Sequence, residues 1–399
     1  MHNQTKLVID LYIAATLLII INILLRNVKI ADRVIKPNGD NFSVLSASGV
    51  FTPLKYVVYG FLPYWSLNQT KHVQLSKLTD ISYFALRIDK DGNFERDEGY
   101  YAWRNNKELE KLIEDSKKFG VRFAVTVISH DDDISTAFLN CPSCWKNFLT
   151  ALKKELNFHK IQNVNLDFEY AEEVDIDLAA KYTGLVELTN AELDRTYGNS
   201  YVTVSTFADA YKRSRLTVPH ELNKVADGLF IMAYDFHRPT SETAGPVAPL
   251  NGIGNTSDYN ISTMLKDYLA RVSGSKIILG VPYYGYNWVV NSRNPYAERI
   301  PGDDYIGYSG SQAYADIMGT ILEYGPRIYW DNVAQVPYFT YTSTATGSTR
   351  QTYYENEESL RAKYRLAKKS QLAGIGIWAL GYDGGYQELW NVLGEEFPR

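Results

Sequence analysis

Eight short apolar runs recur in order between residues 56 and 380, and they constrain the fold more than any other feature of the chain. They read YVVYGFL, DISYFAL, RFAVTVI, NVNLDFE, YVTVSTF, GLFIMAY, KIILGVP and GIGIWAL. Between them lie segments such as NKELEKLIEDSKKFG and CWKNFLTALKKELNFHK, whose apolar residues return every three or four positions, the spacing of an amphipathic helix. Strands that alternate with helices form a parallel sheet, because each helix carries the chain back to the same end of the sheet. Eight such units predict an α/β fold of the closed (β/α)8 TIM-barrel type over residues 55–399. An open doubly wound sheet is the alternative, since counting strands does not establish closure. The stretch from 285 to 373 is too long for one crossover. It holds a helical segment near 310–324 and strand-like RIYWD, PYFTYT and RQTYYE, which predicts a small α+β insertion after the seventh strand, at about 289–350.

The amino-terminal part has a different character. After a short flank, 1–6, residues 7–25 (LVIDLYIAATLLIIINILL) are apolar except for Asp10 and Asn22, long enough at about 1.5 Å per residue to cross a bilayer core. They predict a transmembrane helix. A cleaved signal has a shorter apolar region followed by a small-residue cleavage site, whereas RNVKIADRVIK follows here, which favours an uncleaved anchor. Residues 26–54 form a polar tether leading to the folded domain. Arg26, Lys29, Arg33 and Lys36 would keep that domain in the cytoplasm by the positive-inside rule; the chemistry below argues for the opposite side.

Composition removes other classes. At 45% hydrophobic the chain is too apolar for a disordered protein, and a net charge of -5 gives no basic footprint for nucleic acid. Its 31 tyrosines and seven tryptophans supply rings with polar edges, which suit sugar faces or interfaces. Cys141 and Cys144 (CPSC) lack a second ligand pair for zinc, leaving a small local disulfide or two free thiols. In HDDD (130–133) the consecutive acids lack the spacing of a calcium loop and read as a solvated turn. No metal and no cofactor is expected.

The chemistry concentrates in NVNLDFEY, residues 163–170. Side chains two apart on a strand share a face, so Asn165, Asp167 and Glu169 face one way and Val164, Leu166 and Phe168 the other. A half-exposed antiparallel strand would show the same alternation. In a barrel, however, the polar set would line the lumen, where carboxylates are costly, and Glu169 would sit at the carboxyl-terminal mouth where barrel active sites form.

With these residues the sequence resembles glycoside hydrolase family 18, the chitinase and chitinase-like proteins, whose fourth-strand motif runs D-x-x-D-x-D-x-E. Asp167 and Glu169 match its last two acids, while Gln162 and Asn165 stand at its first two aspartates. FIMAYDFH (230–237) looks like the sixth-strand motif, LGVPYYGYNW (279–288) like the seventh, GIGIWALGYDG (374–384) like the eighth and YGFLPYW (59–65) like the first. The branch with asparagine at the middle position resembles spore-cortex and cell-wall N-acetylglucosaminidases.

The resemblance implies a retaining glycosidase acting on β-1,4-linked N-acetylglucosamine glycans, chitin-like or peptidoglycan, in which the substrate's own acetamido oxygen attacks the anomeric carbon. Glu169 is then the general acid, Asp167 orients the acetamido group and Tyr234 hydrogen-bonds its oxygen. Burial and the charge of Asp167 are expected to raise the pKa of Glu169. Asn165 supports Asp167, Met232 lies beside Tyr234 on the inner face, and Asp235 binds a sugar hydroxyl. Trp378 is expected to stack under the sugar, with Tyr64, Trp65, Tyr283 and Trp288 as cleft walls. The rival reading is a non-catalytic lectin binding the same glycans on the same fold. Such polymers lie outside the cytoplasm, so the domain is expected on the extracytoplasmic side of its anchor.

Overall fold

The computed structural model describes residues 43–45, 51–53, 56–252 and 259–398. The anchor expected at 7–25 lies outside the described residues. Among the described residues no helix is long and apolar enough to cross a membrane. Ser43–Leu45 (β1) pairs antiparallel with Phe51–Pro53 (β2) within the stretch expected as a tether.

From Tyr56 onward the chain forms a barrel. Its strands are Val57–Pro63 (β3), Asp80–Arg87 (β4), Arg122–Ser129 (β5), Asn163–Phe168 (β6), Val202–Phe207 (β7), Gly228–Met232 (β8), Ile277–Pro282 (β9) and Gly374–Trp378 (β15). All neighbours are parallel, and β15 pairs with both β3 and β9, which closes the ring and rules out the open sheet. The outer faces are apolar because the helices cover them: Val164, Leu166 and Phe168 are all but fully buried. The helix Lys107–Lys118 shows how the sequence builds that cover. Asn106 caps it by accepting from the Leu109 N–H, Glu108 and Glu110 occupy the positive end of its dipole and Lys117 and Lys118 the negative end. Its Leu109, Leu112, Ile113 and Ser116, one stripe at helical spacing, are the buried side chains.

Inside the ring, aromatic residues form a solid floor. Phe61 and Phe230 meet edge to face at 4.7 Å, with Tyr59, Phe84, Ile128 and Ile278 around them. Phe230 needs glycine opposite it, since a Cβ on Gly376 would fall 2.1 Å from its ring. At the lower end Arg122 closes the barrel by donating to both Asp80 carboxylate oxygens, at 2.6 and 3.0 Å.

The expected insertion after the seventh barrel strand is an antiparallel sheet with one helix. Tyr284–Val289 (β10), Gly310–Ala313 (β11), Ile328–Asp331 (β12), Val336–Thr342 (β13) and Thr349–Tyr353 (β14) lie in the order β11-β10-β14-β13-β12, with a helix at Tyr314–Tyr324. A single residue, Tyr283, separates β9 of the barrel from β10 of this sheet. The sheet thus starts at Tyr284, not near 289, because β10 is the direct continuation of the chain leaving the barrel.

Candidate active site

A cleft of about 1010 Å³ opens at the carboxyl-terminal end of the barrel strands. The inner face of β6 leads into it. Asn165 is fully buried, Asp167 is 4% exposed, and Glu169, one residue past the strand, has a side chain 36% exposed. The Glu169 N–H still donates to the Ser129 carbonyl at 3.0 Å, so the strand pairing with β5 fixes its backbone at the rim.

The middle position departs from what the sequence suggested. The Asn165 amide donates to Thr203 Oγ1 at 2.9 Å and its carbonyl accepts from Ser205 Oγ at 3.1 Å, so both ends are engaged by β7 and not by Asp167. Thr203 Oγ1 lies a further 3.3 Å from the Tyr59 hydroxyl. Asp167 Oδ1 is left buried without a hydrogen-bond partner.

His130, which the sequence reading passed over, sits above the acids. Its Nε2 lies 3.8 Å from Asp167 Oδ2 and 3.6 Å from Glu169 Oε1. The acids of HDDD are not merely solvated. Asp131 caps the helix Asp132–Leu139 by accepting from the Ile134 N–H at 2.9 Å. Asp132 accepts from the Ala171 and Glu172 N–H groups at 2.9 and 3.1 Å, clamping the loop after β6.

These surroundings set the charges. Burial first, and then the negative charge of Asp167, push the Glu169 carboxyl up to about 7, against the opposing pull of His130 and Arg238. Burial disfavours a charged His130, but the carboxylates of Asp167 and Glu169 outweigh it and raise its pKa above the ordinary value. His130, Asp167 and Glu169 each bring one atom within 4.8 Å of the others, a metal-like spacing. Such a set binds a cation only with its ligands deprotonated, and the mutual contacts here favour the protonated forms of His130 and Glu169.

Across the cleft, Met232 and Tyr234 lie along the inner side of β8 and its extension. Burial, followed by the negative charges of Asp167, Asp235 and Glu169, keeps the Tyr234 hydroxyl neutral, a donor at any working pH. Asp235, in the left-handed region at φ 60°, accepts from the hydroxyls of Tyr284 and Tyr286, the latter at 2.6 Å. Trp378 forms the floor, edge to face with Phe84 at 4.7 Å and tilted against Phe61 at 5.6 Å. Tyr64 and the exposed Trp65 wall one end, where Trp65 Nε1 donates to the Tyr382 hydroxyl at 3.2 Å.

Two expected walls lie elsewhere. Tyr283 is fully buried with its hydroxyl 3.3 Å from that of Tyr364, and Trp288 is fully buried with Nε1 donating to the Arg238 carbonyl at 3.1 Å. The wall is made by Tyr284 and Tyr286, which share a face of β10 with Trp288. Trp288 continues that face beneath the insertion, packed on Tyr286 and Tyr353. The period of two was visible in YYGYNW, but the adjacent tyrosines left its phase open by one residue at Tyr283, while Trp288 has the right phase and lies too far along the strand to reach the cleft.

CPSC is a disulfide, Cys141 to Cys144, at the start of the helix Pro142–His159.

A closed barrel with two carboxyls and a tyrosine converging over a tryptophan floor at its carboxyl-terminal mouth belongs to the class of barrels that carry their chemistry on strand ends. The family is more definite. The model of glycosyl hydrolases family 18 matches residues 57–383, and the chain belongs to that family. Over 246 residues it is 30% identical to the putative sporulation-specific glycosylase YdhD of Bacillus subtilis, covering 61% of this chain and 52% of that protein; the chain thus spans about half the length of this relative. The fold matches the spore cortex-lytic enzyme SleL of Bacillus megaterium with a TM-score of 0.69 at 18% identity, over 87% of this chain and 76% of that one. It also matches a family 18 chitinase of Cycas revoluta, solved with (GlcNAc)3, with a TM-score of 0.72 at 18% identity, over 85% and 99% of the two chains.

Proposed function

We propose that this chain hydrolyses β-1,4-linked N-acetylglucosamine glycans, chitin-like or peptidoglycan, with retention of configuration. The observation that carries the reading is the pair Asp167 and Glu169, rising on one strand into an aromatic cleft with Glu169 held near a pKa of about 7. A carboxyl so poised is protonated often enough near neutrality to give its proton to the glycosidic oxygen and basic enough to take one back from water. Asp167 and Glu169 stand on the same strand, and Asp235, the acid across the cleft, is engaged by the hydroxyls of Tyr284 and Tyr286. The substrate's acetamido oxygen therefore acts as nucleophile. Asp167, whose Oδ1 is buried without a partner, turns its carboxylate toward the cleft to accept from the acetamido N–H and stabilises the positive charge of the cyclised intermediate. Tyr234, a neutral donor, holds the acetamido oxygen in line for attack.

The test uses the full-length protein with N-acetylglucosamine oligomers and purified cell-wall glycan, beside Glu169→Gln. Cleavage that keeps the β-anomer, lost at least about 100-fold in the variant, supports the reading. Equal turnover by both proteins refutes the assignment of Glu169. Glycan binding without cleavage by the wild type marks a lectin instead.

In this reading residues 7–25 anchor the domain on the extracytoplasmic side, where such polymers lie. A reporter fused after Arg399 and active only in the cytoplasm rejects that topology.

A further inference from the structure

We propose that His130 is a positioning residue of the catalytic centre. Lying 3.8 Å from Asp167 and 3.6 Å from Glu169, its imidazole takes up the charge left on Glu169 once that carboxyl has given its proton away. The inference rests on the glycosidase reading and adds a residue to it.

The placement follows from the strand. Ala124, Thr126 and Ile128 alternate on the inner face of β5, and His130 is the next position on that face, just past the strand end. The ring stands exposed at the rim. The Asp131 cap and the Asp132 clamp fix its backbone, and the Phe84 ring lies 6.3 Å away.

A charge partner from above is needed because none comes from below. Asn165 is neutral, and both ends of its amide are committed to Thr203 and Ser205. An aspartate there would share a proton with Asp167; this amide cannot. Both distances to His130 exceed a direct hydrogen bond, so the contact in the resting state is an ion pair that a small rotation, or one water, converts into a bond.

The groups facing the imidazole are Asp167 and Glu169 from β6 and Arg87 from the end of β4, with Asp131, Asp132 and Asp133 on its own loop. Arg87 is drawn off by Glu95 and Asp97, at 3.6 and 3.7 Å. The balance favours the protonated ring, in line with its raised pKa.

During cleavage the Glu169 proton passes to the glycosidic oxygen, which leaves with the electron pair of its bond to the anomeric carbon, while an acetamido oxygen lone pair forms the new bond. Glu169 is then an anion beside the His130 cation. Water attacks the anomeric carbon, the acetamido oxygen leaves, and the proton shed by water returns to Glu169. His130 keeps its own proton throughout.

The experiment compares His130→Gln and His130→Arg with the wild type in the full-length protein, reading kcat, KM and the pH profile on an N-acetylglucosamine oligomer, with thermal melts to confirm folding. For His130→Gln, kcat falls at least about tenfold with KM little changed. The alkaline limb, near pH 7 in the wild type, moves to higher pH because Glu169 has lost a neighbouring cation. His130→Arg restores much of kcat and returns the limb toward lower pH. An unchanged limb and kcat in His130→Gln, or a limb that moves down, overturns the proposal. A second measurement needs no turnover: ring 15N NMR of the wild type and Glu169→Gln, in which the His130 pKa falls in the variant. An unchanged His130 titration also overturns it. A wild type that cleaves nothing defeats the glycosidase reading, and the NMR comparison then still decides whether His130 and Glu169 share charge.

Discussion

Replacing Glu169 by glutamine should make the protein more stable, and the gain should depend on pH in a direction fixed by the site. In the folded protein the carboxyl is pushed from an ordinary value of 4.5 to about 7, mainly by burial. Between those values the folded chain holds a proton that the unfolded chain has already released. Stability therefore falls as pH rises from 4.5 to 7 and stays at its reduced level above 7. At about 1.36 kcal/mol per pH unit the full difference is about 3.4 kcal/mol. The side chain is 36% exposed, so solvent screening cuts this roughly in half, to about 1–2 kcal/mol. Glutamine keeps the shape and carries no charge. Urea melts of the two proteins should coincide near pH 4.5 and separate through pH 6, with the variant ahead by about 1–2 kcal/mol at pH 8. Thermal scans at pH 8 should show a rise of about 1–3 °C. A variant no more stable than the wild type at pH 8 would refute the reasoning, because Glu169 would then carry no desolvation cost and no reason to hold a proton.

Two other outcomes test separate parts of the account. Tyr234→Phe removes a neutral donor from the cleft wall and should lower kcat by about 100-fold with little change in KM; a matching rise in KM would mean that the hydroxyl acts in ground-state binding. Lys363→Met leaves Glu355 in a fully buried site without the ammonium now 2.7 Å away, and should cost about 3–5 kcal/mol in a urea melt at pH 8. Glu355 regains a proton in acid, so that loss should shrink near pH 5; a loss below about 1 kcal/mol at pH 8 would show that the pair contributes no net stability.

The barrel was legible because its signal is long and repeated. Each of the eight apolar runs overlaps a strand to within two residues at either end, since one inner and one outer face must be satisfied at every second position. The insertion was harder to bound. β10 follows β9 after one residue, so LGVPYYGYNW reads as a single apolar stretch and hides the turn between two sheets. The acids of β6 could be found because charge in a lumen is anomalous. His130 was missed for the opposite reason: its run of acids drew attention to cation binding, although the alternation of RFAVTVISH already put the histidine on the inner face. Which partner Asn165 chooses was not accessible, because Thr203 and Ser205 lie about 40 residues away and only closure of the ring brings β7 beside β6.

The single-residue joint at Tyr283 has a mechanical consequence. Its hydroxyl meets that of Tyr364 and its N–H donates to the Trp378 carbonyl at 2.7 Å, so no slack remains between barrel and insertion. The Tyr284–Tyr286 bank of the cleft is therefore tied to the barrel at its root, so a movement of that bank would have to break these two contacts.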